Sequence, residues 1–382
     1  MPRQLFLIAI IKGLANIKNE QELCDTEMNK VIITIYIMLA LKTVNFLSPA
    51  MTSVNGNSEE LGLELPIVGA AGWAGARLRL TDKSTHDLIM YLEPGQAFVI
   101  LEQSDERWRV RLPCGTVGWV LHEACFINLP DVIPSIVLNA TNSSGSLFLS
   151  GGYDIPNITG HQLYPARSLN PRFGYEMYIM PVLYSTSLKL FEVQQAALYD
   201  GRTLVIYEIF RPRETQRRVV AGLQNLMNTN ATVRNGINTY PWNAAWFIAH
   251  GISVHQRAAA IDASLAQVVL YEIRTTPGSG FSYRRITDMA YYEMPTSMHD
   301  LHPNAASLIH PRGTTLAPTM TEGSIALRNY FLNAGFTPIA SEWWHFTDRL
   351  GNQTAQSHGI TGDFYIRELY SFPPPNGVNI IN

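Results

Sequence analysis

The chain has 382 residues, of which 46% are hydrophobic and only 15% charged. That length and apolar share exclude a mainly disordered state and allow about two to three units, each large enough to bury a core. With 28 basic and 31 acidic residues the formal charge is -3, so no broad basic field draws nucleic acid.

Two apolar stretches open the chain, at 5–11 and 31–41. Both are shorter than the roughly 20 residues of a comfortable membrane span. The second follows Met28-Asn29-Lys30 and precedes small residues around Ser48, Pro49 and Ala50. This layout predicts a signal peptide or membrane anchor over 28–50. Residues 1–27 then read as an upstream extension from a misassigned start. The expected location is export, periplasmic or associated with the cell envelope. Cys24, Cys114 and Cys125 lack a CxxC spacing, so a cysteine-rich structural zinc site is excluded. One Cys114–Cys125 bridge is compatible with export.

Residues 51–69 read as a linker. From 70 to 130 short alternating segments at 76–80, 97–101 and 108–112 are separated by turn signals, which predicts a small all-β barrel. Here Pro94-Gly95, Trp108 after an acidic turn, and Gly115-x-x-Gly118-Trp119-Val120 resemble a bacterial SH3-like (SH3b) domain. Such modules accompany cell-wall enzymes, so the resemblance implies contact with the wall. Packing is the expected role of both tryptophans.

Residues 131–152, rich in Pro, Asn, Ser and Gly, read as a second linker with one strand. The remainder, 153–382, mixes periods. Helical spacing runs over 187–201, 213–228 and 322–336, and strand character over 203–210, 260–273 and 339–347. Without a strict βαβ rhythm, the expected class is α+β. The detailed expectation is a central antiparallel sheet with flanking helices, preceded by the small SH3-like barrel.

Two clusters in this region carry chemistry. One spans Ser253, His255 and Asp262; the other is Glu342-Trp343-Trp344-His345. A catalytic zinc needs three nitrogen or oxygen ligands and an open position. His255, Asp262 and His345 supply three, and Glu342 remains as a carboxylate to take a proton from water. Spacing alone does not fix this geometry. A gap of seven shares a helix face but not a strand face, and a turn also brings the two ends together.

Ser253-Val-His255-Gln-Arg-Ala258-Ala-Ala260-Ile-Asp262 and Ser341-Glu342-Trp-Trp-His345 resemble the SxHxxGxAxD and ExWH motifs of the D-alanyl-D-alanine dipeptidase and carboxypeptidase family (peptidase family M15). The double tryptophan and Tyr207-Glu208-Ile209-Phe210-Arg211-Pro212 are closest to its VanX-type dipeptidases. The resemblance implies Zn2+ held by His255, Asp262 and His345, Glu342 as catalytic base, and Arg211 at the developing oxyanion. It implies Ser253 and Asp300 as substrate contacts, the latter for the free amino group. The implied substrate is D-Ala-D-Ala or a related D-amino-acid-containing wall peptide. The alternatives are a carboxypeptidase or endopeptidase on peptidoglycan stem peptides, and a catalytically inactive wall-binding protein. Ala258 replaces the family glycine, and Glu293-Met-Pro-Thr296 replaces Asp-Met-Gly-Thr. His250, His299, His302 and His310 are expected to be polar loop residues.

Overall fold

The computed structural model describes residues 63–83 and 86–375. The proposed leader over 28–50 and the extension before it lie outside these residues. So does most of the linker over 51–69.

The described residues open with seven short strands: β1 (Ala71–Ala74), β2 (Leu78–Thr81), β3 (Leu88–Leu92), β4 (Ala97–Ser104), β5 (Arg107–Arg111), β6 (Val117–Leu121) and β7 (Cys125–Asn128). Glycines 95 and 115 turn the chain at positive φ, where a side chain would be strained. Trp108 is fully buried. Its indole donates to Gln103 Oε1 at 2.7 Å, and its ring meets Tyr184 edge-on at 4.7 Å. Trp119 is also buried, beneath the Lys83 ammonium. Both tryptophans therefore pack.

Residues 131–152, expected as a linker, are mostly buried. Helix α1 (Leu129–Val132), β8 (Val137–Leu138) and β9 (Leu149–Ser150) lie here. Several of their polar side chains bond inside: Ser150 Oγ donates to Leu301 O, and Asn142 Nδ2 to Glu208. Then follow β10 (Tyr153–Asp154), β11 (Arg167–Asn170), β12 (Tyr175–Tyr178) and β13 (Pro181–Leu183). Strand β13 pairs antiparallel with β7, completing an eight-stranded sheet of order β13-β7-β1-β4-β5-β6-β2-β3.

Helix α2 (Tyr184–Tyr199) ends where Gly201 takes φ +70°. Strand β14 (Arg202–Glu208) follows, then α3 (Arg213–Thr229), which buries Thr215, Val219, Leu223 and Leu226 at helical spacing. After α4 (Ala231–Ile237) come β15 (Ala260–Thr275) and β16 (Ser282–Tyr291), a long hairpin. Helix α5 (Glu322–Asn333) starts in a capping box between Thr321 and Ser324. Strands β17 (Thr337–Pro338) and β18 (His345–Thr347) and helix α6 (Arg349–Ser357) close the elements.

The second main sheet runs β17-β18-β15-β14-β8, with β16 also on β15. Its pairings are antiparallel except β14 with β8. Helix α2 packs on β14, and α5 on β15 and β17. The architecture is mixed α+β with antiparallel sheets and six α-helices among the described residues. Residues 339–347 were expected as strand throughout, but only His345–Thr347 forms one. The preceding backbone bonds elsewhere, with Trp343 N donating to Ala305 O. Cys114 and Cys125 are both free thiols, so no bridge joins them. Cys114 donates to Thr116 Oγ1 and the buried Cys125 to Leu121 O. No helix of the described residues is long and apolar enough to cross a membrane.

Candidate metal centre

Strand register builds the centre. Asp262 on β15 lies opposite Glu208 on β14 and opposite His345 on β18. Opposed residues on neighbouring strands present their side chains to one face, so three strands deliver three polar groups side by side.

His255 arrives by another route. It sits on a 3-10 turn, Val254–Arg257, capped by Ser253. The Ser253 hydroxyl accepts from His255 N, and Gln256 closes the capping box. Ala258 then takes φ +51° and ψ 32°, turning the chain into β15. Neither a helix face nor a strand face spans 255–262; a turn does. Ala258 thus holds a left-handed conformation that normally favours glycine. Backbone bonds tie the turn to Arg211, whose N donates to His255 O while Gln256 Nε2 donates to Arg211 O.

His255 Nε2 lies 3.1 Å from His345 Nδ1 and 3.3 Å from Asp262 Oδ2. His345 Nδ1 is 3.0 Å from Asp262 Oδ1. All three residues are buried. Tetrahedral zinc with bonds of about 2.0–2.1 Å sets its ligand atoms about 3.3 Å apart, and one ligand atom from each of the three residues lies within 4.8 Å of the others, so the group can hold such an ion. The outer contacts fit as well. His255 Nδ1 is 2.9 Å from Ile209 O, which only accepts. The proton of a neutral ring is therefore on Nδ1, and the Nε2 lone pair faces the cluster. His345 Nε2 meets Thr347 Oγ1 at 3.1 Å, leaving Nδ1 for a metal. Burial, against the pull of Asp262, lowers the His345 pKa and favours the neutral ligand form. Burial alone would raise Asp262, yet His255, His299 and His345 hold it well below the ordinary carboxylate range.

Glu342 lies beside the cluster, its Oε2 3.9 Å from His345 Nδ1. Burial first, then the charge of Asp262, pushes its pKa well above the ordinary range. Trp343 and Trp344, between Glu342 and His345 in the chain, are buried, and the Trp343 indole donates to Thr296 Oγ1.

Arg211 is buried and bonded on most sides. Nε and Nη2 donate to Glu208 Oε2, Nη1 donates to Gln216 Oε1 at 2.8 Å, and Nη2 is 3.5 Å from Asp262 Oδ2. Of its five N–H groups, one on Nη1 is left. Although burial opposes charge, Glu208 and Asp262 keep the guanidinium fully ionised.

Glu208, Asp262 and His299 form a second group with ligand atoms close together. Arg211 already bridges its two carboxylates. The guanidinium supplies the positive charge there.

Of the residues singled out from sequence, His255, Asp262, His345, Glu342 and Arg211 meet here. Ser253 contributes the cap of the His255 turn. Asp300 is directed elsewhere: its Oδ1 accepts from Gly151 N at 2.6 Å. The residue that does reach the cluster is the preceding one, His299, with Nε2 2.9 Å from Asp262 Oδ2. His299 is buried rather than a polar loop residue. Sequence reasoning also missed Glu208, Tyr164 and Asn142. A lone carboxylate inside the β-branched run 203–210 was the one available signal, because a buried charge demands a partner. No protein-family model matches the chain, and a search of curated proteins finds no matching relative.

Proposed function

We propose that this chain is a zinc-dependent peptidase acting on D-Ala-D-Ala or a related D-amino-acid-containing cell-wall peptide. The observation that carries the proposal is the convergence of His255, Asp262 and His345 within 3.0–3.3 Å, beside a desolvated Glu342. Two imidazole nitrogens and a carboxylate repel one another at that distance unless a proton or a cation lies among them.

When bound, zinc supplies Lewis acidity that brings the pKa of a water to about 7. Glu342 is the residue that would take a proton from the attacking water. Its raised pKa suits a group that must accept a proton and then release it to the leaving amine. Arg211 keeps its charge in a dry site, and its remaining Nη1 proton faces negative charge as it develops on the substrate. Glu208 holds the guanidinium for that task.

The SH3-like reading of 70–130 belongs to this proposal, and so does the zinc-peptidase reading of 153–382. Strands β1–β7 support the former and the ligand cluster the latter. Export from the segment over 28–50 would place the enzyme with a wall substrate. One observation favours stem peptides over the free dipeptide. Asp300, the expected anchor for a free amino group, is engaged by Gly151.

The test is D-alanine release by zinc-loaded protein, with D-Ala-D-Ala and a stem pentapeptide side by side and a chelated control. Chelator-sensitive release from the dipeptide supports the dipeptidase form. Release from the pentapeptide alone supports the stem-peptide form. With neither cut, the peptidase reading fails and a wall-binding role takes its place.

A further inference from the structure

His299 lies outside every motif that pointed to the centre. Its Nδ1 is buried and has no hydrogen-bond partner. A proton on Nδ1 would be stranded, whereas one on Nε2 meets the Asp262 carboxylate at 2.9 Å. The ring is therefore the Nε2–H tautomer and donates to Asp262 Oδ2.

The fold takes trouble to hold the ring there. His299 has φ +61°, a left-handed conformation uncommon for residues other than glycine. Its carbonyl accepts from Leu149 N at 3.1 Å, and Leu301 N donates to Leu149 O at 2.9 Å. The Phe148 ring stacks on the imidazole at 4.4 Å and 13°. The Trp344 ring meets it nearly edge-on at 5.9 Å. Strained backbone persists only where its surroundings over-determine it, and it gathers at functional sites.

We propose that His299 is a positioning residue for the metal. It occupies Asp262 Oδ2, fixes the plane of the carboxylate and leaves Oδ1 for an ion shared with His255 and His345. Arg211 Nη2, 3.5 Å from the same Oδ2, is the second hand on that oxygen. The usual arrangement has an imidazole as ligand and a carboxylate behind it; here an imidazole stands behind a ligating carboxylate. This role rests on the metal reading above.

Zinc affinity is measured by competition with a chromophoric chelator, for wild type, His299→Phe and His299→Gln. Phenylalanine keeps a ring to stack on Phe148 and removes the donor. Glutamine restores an N–H at the level of Nε2. The expected result is about 10–100-fold weaker binding for His299→Phe and a return to within about threefold for His299→Gln. The visible bands of the Co2+-loaded proteins should shift for Phe alone. If circular dichroism shows the Phe variant unfolded, His299→Leu carries the same expectation. Wild-type affinity in the donor-less variant overturns the role of His299 while leaving the metal site standing. Weak binding in both Phe and Gln variants also overturns it, because the donor is then not the property that matters. A wild type that binds no zinc sinks both readings together.

Discussion

Replacing Glu208 with glutamine keeps the shape of the side chain and removes its charge. Glu208 is fully buried. Its Oε1 accepts from Asn142 Nδ2 and from the Tyr164 hydroxyl at 3.2 Å, and its Oε2 accepts from Arg211 Nε at 2.8 Å and from Nη2. An amide cannot serve both ends. With its NH2 toward Arg211 it meets two donors; turned over, it meets Asn142 and the tyrosine. The second orientation costs less, because the Tyr164 hydroxyl can rotate to Phe210 O, 3.3 Å away. Arg211 is then left with Asp262, at 3.5 Å, as its anionic partner. Removing one member of a buried pair costs about 3–5 kcal/mol, and the remaining contact with Asp262 places this case near 3. At a slope of about 3 kcal/mol per molar urea, the unfolding midpoint falls by about 1 M. The assay is urea unfolding of chelator-treated protein, followed by tryptophan fluorescence. A midpoint within about 0.3 M of wild type would refute the reasoning, since Glu208 would then not compensate the guanidinium.

Other outcomes follow from the same geometry. Glu342→Gln should keep one zinc per chain by metal analysis while D-alanine release falls by about 10²–10⁴. Ala258→Gly relieves about 1–2 kcal/mol of left-handed strain, but adds about 0.5–1 kcal/mol of backbone freedom and loses a buried methyl worth about 0.8 kcal/mol. Thermal melts should therefore place it within about 1 kcal/mol of wild type, whereas the β-branched Ala258→Val should melt well below both. Asp262 and Glu208 have folded pKa values below the ordinary range, because charged neighbours outweigh burial. The stability they contribute is complete above about pH 4 and is lost as pH falls through their folded values. Asp131 runs the other way, since burial outweighs Arg172 and raises it. Its contribution is complete below about pH 4 and is lost as pH rises through the raised value. Melting temperatures across pH should show Asp131→Asn lacking that loss on the rising side. An unchanged profile would mean that Asp131 does not titrate apart from its partners.

Much of the molecule is legible in its sequence. Helices α2, α3 and α5 were readable from helical spacing, with Gly201 and Gly335 just past the ends of α2 and α5. The convergence of His255, Asp262 and His345 beside Glu342 was readable from two short motifs. What sequence did not show depends on register and burial. Glu208 faces Asp262 only because β14 pairs with β15 at that position. His299 shows no periodicity; its place is set by Leu149 and Phe148, distant in the chain. Residues 131–152 look like a linker because Asn and Ser usually face water, yet Asn142, Ser146 and Ser150 are buried and each hydrogen-bonds to an interior group. The region before β18 looked extended because tryptophan and β-branched residues favour strands, but its backbone bonds to loops.

Strand β13 gives the two sheets a mechanical relationship. It comes from well beyond residues 70–130 yet hydrogen-bonds to β7. From the other end of the chain, Phe372 N bonds to Gly69 O, and the Trp73 indole donates to Glu368 O. A binding module on a flexible leash raises local concentration over the whole sweep of that leash. Strands β1–β7 have no such leash. Under the function proposed above, a polymer bound to them would be offered to Asp262 at one distance and one angle, and cuts would fall at a constant interval from the grip.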